Sequence, residues 1–312
     1  MRNKYTFLLP AYKIKYFQEA LDSILNQTYK DFKLIIQDDC SPFDIKSIVD
    51  KYSYDKRVYY YRNEVNIGGK NLVKCWNNLL EKADSEYIIL ASDDDVYDIH
   101  FLDEIDKLTN KYPQVDLLRA RVKSISANGE LRGVDAIYEE YGDSIYFLYQ
   151  KHFNNNITCI ACYAFKLKVL KEKGGFVDLP LAWHSDDATA LNVCNNGIAN
   201  TQKTLLYFRT SGINISSREL SSSDAKKKAI ASILYHDIFI NIVNKLYRTI
   251  NNSPLHKRMY DFAIYNHNDY NYRMINYFSY KCNFFDFIDI LKKSNHKIKL
   301  LFKYIRNKIF GY

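Results

Sequence analysis

No stretch of this 312-residue sequence approaches the ~18 uninterrupted apolar residues of a membrane-crossing helix. The first apolar run, Tyr5–Pro10, is far too short for a secretory signal, so the expected place of the chain is the cytosol. Six cysteines (Cys40, Cys75, Cys159, Cys162, Cys194 and Cys282) are too scattered for a disulfide scaffold. Cys159 and Cys162 form one CxxC without a second pair or a His at zinc-finger spacing. Within the apolar run Ile157–Phe165 they read as small buried residues. Glutamate is absent from residues 221–312, which hold 16 Lys and Arg against 6 Asp, whereas residues 1–220 hold 28 basic and 30 acidic side chains. A near-neutral body with a basic tail argues against nucleic acid as partner of the body. It points the tail toward an anionic surface such as a membrane.

What is present is an ordinary globular balance, 47% apolar and 26% charged, long enough for one large domain and a smaller appendage. The first hundred residues alternate. Thr6–Leu9 is a short buried-strand run that Pro10 should stop, and Phe17–Leu25 has helical spacing. Phe32–Gln37 is strand-like and ends in Asp38-Asp39. Ile45–Tyr52 reads as helix, Val58–Tyr61 as strand and Leu72–Ala83 as helix. Tyr87–Ala91 then runs straight into Ser92-Asp93-Asp94-Asp95. Continuous apolar strands between helices imply an α/β fold with a mostly parallel sheet flanked by helices. From residue 115 the pattern loosens, with a strand expected over 157–165 and a short helix over Lys166–Lys173. Past Ser221 the chain reads as basic helix.

In such sheets ligands bind at the carboxyl ends of strands. Three of those ends carry Pro10-Ala11-Tyr12, Asp38-Asp39 and Asp93-Asp94-Asp95. Carboxylates crowded after a buried strand repel one another, and Mn²⁺ or Mg²⁺ resolves the conflict while bridging diphosphate oxygens. A solvated turn or helix cap is the structural alternative. Asp38-Asp39 is either a turn closing at Ser41-Pro42 or a place where a carboxylate, Asp39, accepts a hydrogen bond from the imide N–H of a uracil ring. Asn66-Ile67-Gly68-Gly69-Lys70 is either a plain loop or a phosphate approach with Lys70 supplying charge. Further on, Trp183 offers a flat face to a sugar, His184 is a contact residue or a hydrogen-bonded loop residue, and Asp186-Asp187 is a pair in which one member can act as base. Asp93-x-Asp95 after an apolar strand also fits a haloacid-dehalogenase-like phosphotransfer enzyme. That reading needs a second acidic pair at a strand end, which Asp186-Asp187 does not provide.

Taken in order, these segments over residues 4–210 resemble glycosyltransferase family 2, whose fold is GT-A. Thr6–Tyr12 looks like its opening strand and nucleotide-contacting turn. Leu21-Asp22-Ser23-Ile24-Leu25-Asn26-Gln27-Thr28-Tyr29-Lys30-Asp31-Phe32 is similar to its first helix and exit, and Ile35–Ser41 to its uracil-binding strand end. The resemblance implies a GT-A catalytic domain over 1–220 followed by a helical region over 221–312. It implies inverting, metal-dependent sugar transfer from a UDP-sugar donor to a glycan or lipid-linked acceptor. Pro10, Ala11, Tyr12, Asp39, Lys70 and Asp93 would hold the nucleotide. Asp94, with Asp95, would hold Mn²⁺ or Mg²⁺, and Asp187, beside Asp186, would be the base, with Trp183 and His184 near the sugars. Two departures stand out. Ser92 occupies the first position of the usual Asp-x-Asp-Asp, and Lys13 stands where Asn is usual. A non-catalytic sugar-nucleotide scaffold is the third reading, to be favoured if Asp94 or Asp187 were missing. In the tail, Ile298, Leu301, Phe302, Ile305 and Ile309 form one helical stripe among Lys297, Lys299, Lys303, Arg306 and Lys308. Such a stripe either lies on an anionic membrane or packs on the body or a second subunit.

Overall fold

The computed structural model describes residues 3–152, 156–249 and 253–310. The chain opens with β1 (Tyr5–Ala11), α1 (Phe17–Leu25), β2 (Phe32–Asp38), α2 (Ile45–Asp50), β3 (Val58–Arg62), α3 (Leu72–Leu80) and β4 (Tyr87–Leu90). It continues through β5 (Val96–Tyr97), α4 (Phe101–Lys111), β6 (Leu117–Ser126), β7 (Leu131–Val134), β8 (Tyr141–Gly142) and α5 (Ser144–Lys151). Next come β9 (Tyr163–Lys166), α6 (Leu167–Glu172), α7 (Ser185–Val193) and β10 (Ile198–Thr210). Four helices close the described chain: α8 (Ser222–Thr249), α9 (Pro254–Lys281), α10 (Phe284–Lys293) and α11 (Lys297–Phe310).

Among the described residues one sheet runs β3-β2-β1-β4-β9-β6-β10-β5, with β7 on β6 and β8 on β10. The β3-β2-β1-β4 half is parallel throughout, and β6 and β10 are parallel as well. Phe7, Leu8, Leu34, Ile36, Ile88, Ile89 and Leu90 are fully buried, which is why these strands show continuous apolar runs rather than alternation. Helix α1 buries Phe17, Ala20, Leu21 and Ile24, the positions of its sequence periodicity. Pro10 does not end β1. The β4 ladder covers only Tyr5 to Leu8, so Pro10 pairs on one side alone, with Gln37, where a missing N–H is tolerated.

The strand expected over 157–165 shrinks to β9, because Ile160–Cys162 form a 3₁₀ turn first. The basic tail is helical and packs closely: Tyr235, Phe239, Val243 and Ala263 of α8 and α9 belong to the same apolar core as the sheet. The composition changes near residue 220, but the core does not. A second cluster joins Phe278, Phe287, Leu300 and Tyr304 at the far end of the helices. The carboxyl ends of β1, β2 and β4 lie side by side, and they open onto the cavity described next.

Candidate active site

The turn after β4 is buried, with Asp93, Asp94 and Asp95 all largely removed from solvent. Asp93 Oδ2 accepts backbone N–H groups from Tyr12 (3.1 Å) and Lys13 (2.8 Å), tying the β4 end to the β1 end. The Lys13 ammonium lies 2.9 Å from Asp93 Oδ1 and 2.6 Å from Asp94 Oδ2. Asp94 also accepts the Ser92 hydroxyl. Asp95 Oδ1 instead accepts the Arg209 N–H at 2.8 Å, while Arg209 Nε donates to the Asp94 carbonyl at 2.9 Å. Burial, reinforced by Asp94, pushes the Asp95 carboxyl up to about 8. Burial also raises Asp93 against the pull of Lys13. The donor set fits a divalent ion: two hard carboxylate oxygens from adjacent residues already converge on one cationic centre, the Lys13 ammonium. Among the described residues no three His, Cys, Asp or Glu side chains are placed to hold a metal ion together, so other ligands would come from water and phosphate oxygens.

Asp39 borders the same cavity, but its carboxylate braces a loop. Oδ1 accepts from Asn63 Nδ2 (2.6 Å) and Ile67 N–H (3.0 Å), and Oδ2 accepts the Gly68 N–H at 2.6 Å. A Cβ at Gly68 would sit 2.8 Å from Asp39 Oδ2, so this close approach requires glycine. Lys70 is exposed and does not line the cavity, whereas Gly68 and Gly69 do. Pro10, Ala11 and Tyr12 form part of the wall.

Asp186 and Asp187 occupy the first turn of α7, where the helix dipole favours carboxylates. The approach is strained: Leu181, Ala182 and His184 all adopt left-handed backbone, with φ of 57°, 54° and 64°. Each such non-glycine residue costs on the order of 1 kcal/mol, and such strain gathers at functional sites. Asp187 pairs with Lys151 Nζ and, at 3.2 Å, with His184 Nδ1. Burial pushes the Asp187 carboxyl up, but Lys151 and His184 outweigh it and hold the group well below the usual carboxylate range. Asp186 has no ion pair among the described residues, and burial together with Asp187 pushes it up to about 7. His184 is fastened by Ser232 Oγ at 3.3 Å and by stacking on Tyr235 at 4.7 Å. Trp183 packs edge-on against Phe278, with Lys228 Nζ 4.3 Å from its ring centroid.

One cavity of about 760 Å³ gathers Asp93, Asp94 and Asp95 on one side with Trp183, His184, Asp186 and Asp187 on the other. A volume of that size suits a ligand of nucleotide-sugar dimensions. The Glycosyl transferase family 2 model matches residues 6–173, more than half of the chain. The chain belongs to glycosyltransferase family 2. Membership leaves no support for the phosphotransfer reading. Protein CgeD of Bacillus subtilis is 27% identical over 133 residues, covering 41% of this chain and 31% of that protein. The Staphylococcus aureus poly(ribitol-phosphate) β-N-acetylglucosaminyltransferase TarS is 26% identical over 129 residues, covering 40% and 22%. This chain therefore matches less than a third of either relative's length. The solved structure of S. aureus TarS 1–349 with UDP-GlcNAc superposes with a TM-score of 0.69 at 21% identity, over 96% of this chain and 83% of that one. A mannosyltransferase from Pyrobaculum calidifontis, with GDP-Man and Mn²⁺, gives a TM-score of 0.53 at 14% identity, over 100% and 88%. These likenesses establish the GT-A fold.

Several residues that line this cavity or brace its carboxylates carry no local sequence signal. Arg209 sits at the end of a long strand and braces the aspartate turn. Lys151 neutralises Asp187 from 36 positions away. Arg218 and Tyr270 bring the loop after β10 and helix α9 to the cavity wall.

Proposed function

We propose that this chain transfers a sugar, with inversion, from a nucleoside-diphosphate donor to an acceptor hydroxyl. The observation that carries the reading is the single cavity holding the strand-end aspartates opposite the α7 carboxylate pair. UDP is the favoured carrier, supported by the UDP-GlcNAc bound to the TarS neighbour. The wall formed by Pro10, Ala11, Tyr12 and Asp39 would receive the nucleoside. Asp93 and Asp94, which face the cation, would hold Mn²⁺ or Mg²⁺, with Asp95 anchoring the turn to β10. When bound, the ion supplies positive charge against the diphosphate as it departs.

The resemblance puts the base on Asp187, but the charge environment supports Asp186. A base works best with a raised pKa and a free lone pair; burial raises Asp186, whereas, against burial, Lys151 and His184 occupy Asp187 and hold it low. Asp186 takes the acceptor proton as the hydroxyl oxygen attacks the anomeric carbon and the bond to the diphosphate oxygen breaks. Asp187, clamped by Lys151 and His184, keeps the start of α7 in place. Trp183 presents an apolar face beside the acceptor path.

Acceptor class is argued from relatives. One, from Campylobacter jejuni, is named GalNAc(5)-diNAcBac-PP-undecaprenol β-1,3-glucosyltransferase, 35% identical over 94 residues, 30% of each chain. A glycan or lipid-linked acceptor near an anionic membrane face, on the cytoplasmic side, is the reading proposed here. No helix among the described residues is long and apolar enough to cross a membrane. On α11, Leu300 and Tyr304 turn inward, while Ile298 and Phe302 are 74% and 71% exposed among lysines. That arrangement suits surface attachment. Ile309's side chain lies outside the described set. The deciding experiment is a screen of nucleotide sugars with Mn²⁺, reading thermal stabilisation and release of free nucleoside diphosphate. No stabilisation and no release with any donor would sink the reading.

A further inference from the structure

We propose that Lys13 is a tethered competitor for the divalent ion, admitting it to Asp93 and Asp94 only when a donor diphosphate draws the lysine ammonium away. The inference rests on the metal-using reading above and adds a coupling between donor and metal. The Lys13 ammonium touches both carboxylates at once, 2.9 Å from Asp93 Oδ1 and 2.6 Å from Asp94 Oδ2. A Mg²⁺ or Mn²⁺ ion held by the same two carboxylates would take the place the ammonium now occupies. Two cationic centres cannot share it, because their repulsion in a largely desolvated turn is severe.

The lysine is built to leave. Its backbone N–H stays on Asp93 Oδ2 at 2.8 Å, so the residue remains anchored while the four-carbon stem swings. Its side chain keeps partial exposure to the cavity. A second station is already in reach, since Nζ lies 3.5 Å from Asn214 Oδ1 in the loop after β10, which also lines the cavity. A diphosphate arriving there offers the ammonium negative oxygens in exchange for the carboxylates.

The test is Mn²⁺ titration by electron paramagnetic resonance on the full chain, with and without UDP, for wild type, Lys13→Asn, Lys13→Gln and Lys13→Arg. Without nucleotide, the two neutral variants should bind Mn²⁺ at least about tenfold more tightly than wild type, and Lys13→Arg should stay as weak as wild type. UDP should raise Mn²⁺ affinity by a larger factor in wild type than in the neutral variants. Melting curves with and without Mn²⁺ verify that each variant is folded and give a second measure of ion binding. Equal or weaker nucleotide-free Mn²⁺ affinity in both neutral variants overturns the proposal. So does an Arg variant as tight as the Asn variant. Loss of UDP binding in every protein would count against the transferase reading and overturn the donor coupling, while the nucleotide-free comparison, which needs no donor, still decides the competition for the ion. A UDP effect no larger in wild type than in the neutral variants overturns the coupling alone.

Discussion

Lys151, the last residue of α5, forms an ion pair with Asp187 in the first turn of α7 and leaves the neighbouring Asp186 without a cationic partner among the described residues. Against burial, Lys151 and His184 hold the Asp187 carboxyl well below the usual range, while burial, reinforced by the Asp187 charge, pushes Asp186 up to about 7. The contrast makes their substitutions distinguishable. Asp186→Asn should fold normally, bind donor and lose transfer by two or more orders of magnitude, about the scale of a lost general base. Asp187→Asn should cost ~3 kcal/mol of stability because it strands the Lys151 charge. Donor binding, turnover and urea melts on both variants check this. Full activity in Asp186→Asn assigns the base to Asp187.

The same pair sets a pH dependence. A base must be unprotonated, and Asp186 is raised, so activity should fall as pH drops through about 7 and level off above it. Measuring kcat/KM from pH 5 to 9 tests this. A limb near pH 4 instead would indicate a base with an ordinary carboxylate pKa.

Asp94→Ala should remove the part of UDP affinity that depends on Mn²⁺ while leaving the metal-free part intact. Calorimetric titration of UDP in Mn²⁺ and in EDTA measures both. Identical wild-type affinity in the two conditions refutes the metal site.

Acid lability is expected where α5, α8 and α9 meet. His267 is fully buried, stacks on Phe239 with centroids 3.6 Å apart, and has neither ring nitrogen partnered among the described residues. Burial and the nearby His152, His236, His184 and Lys151 lower it to about 2, and burial with Lys151 lowers His152 to about 4. The unfolded chain takes up these protons first as pH falls below ~6.5, so stability declines from there toward pH 4. The slope is at most on the order of 1 kcal/mol per pH unit for each histidine. His267→Phe should flatten the decline seen in thermal melts at pH 7, 6 and 5. An unchanged slope would refute the assignment.

The last test concerns α11. Replacing Ile298 and Phe302 together by Ser should weaken sedimentation with anionic liposomes at low salt and leave the melting temperature nearly unchanged, because both side chains are exposed. Leu300→Ala should do the reverse, costing roughly 2–5 kcal/mol in the buried cluster. If the serine variant instead melts early or loses self-association, that face contacts protein rather than lipid.

Local pattern was enough for the parallel half of the fold. β1, β2 and β4 are buried on both faces, so their apolar runs are unbroken, and α1 spans Phe17–Leu25 as its spacing predicts. β10 was not legible: its 13 residues pass through exposed Gln202 and Lys203, where its register against β6 shifts. Nor was α7, whose buried Ser185, Ala188, Thr189, Ala190, Leu191 and Val193 mix polar with apolar residues and follow no single helical stripe. The α11 stripe was readable as amphipathic, yet it faces outward, because Leu300 and Tyr304 carry the packing, the latter by stacking on Phe287.

The sequence by itself determined that aspartates stand at strand ends, that a carboxylate pair follows far downstream, and that the family is glycosyltransferase family 2. Each of these is a matter of residue type and order along the chain. Only the tertiary structure decided what surrounds each carboxylate: Lys13 between Asp93 and Asp94, Arg209 behind Asp95, and Lys151 on Asp187 but not on Asp186. A carboxylate's charge state and freedom to act depend on burial and on cations within a few ångströms. Those neighbours come from 80, 114 and 36 positions away, brought in by sheet register and helix packing that no local pattern encodes.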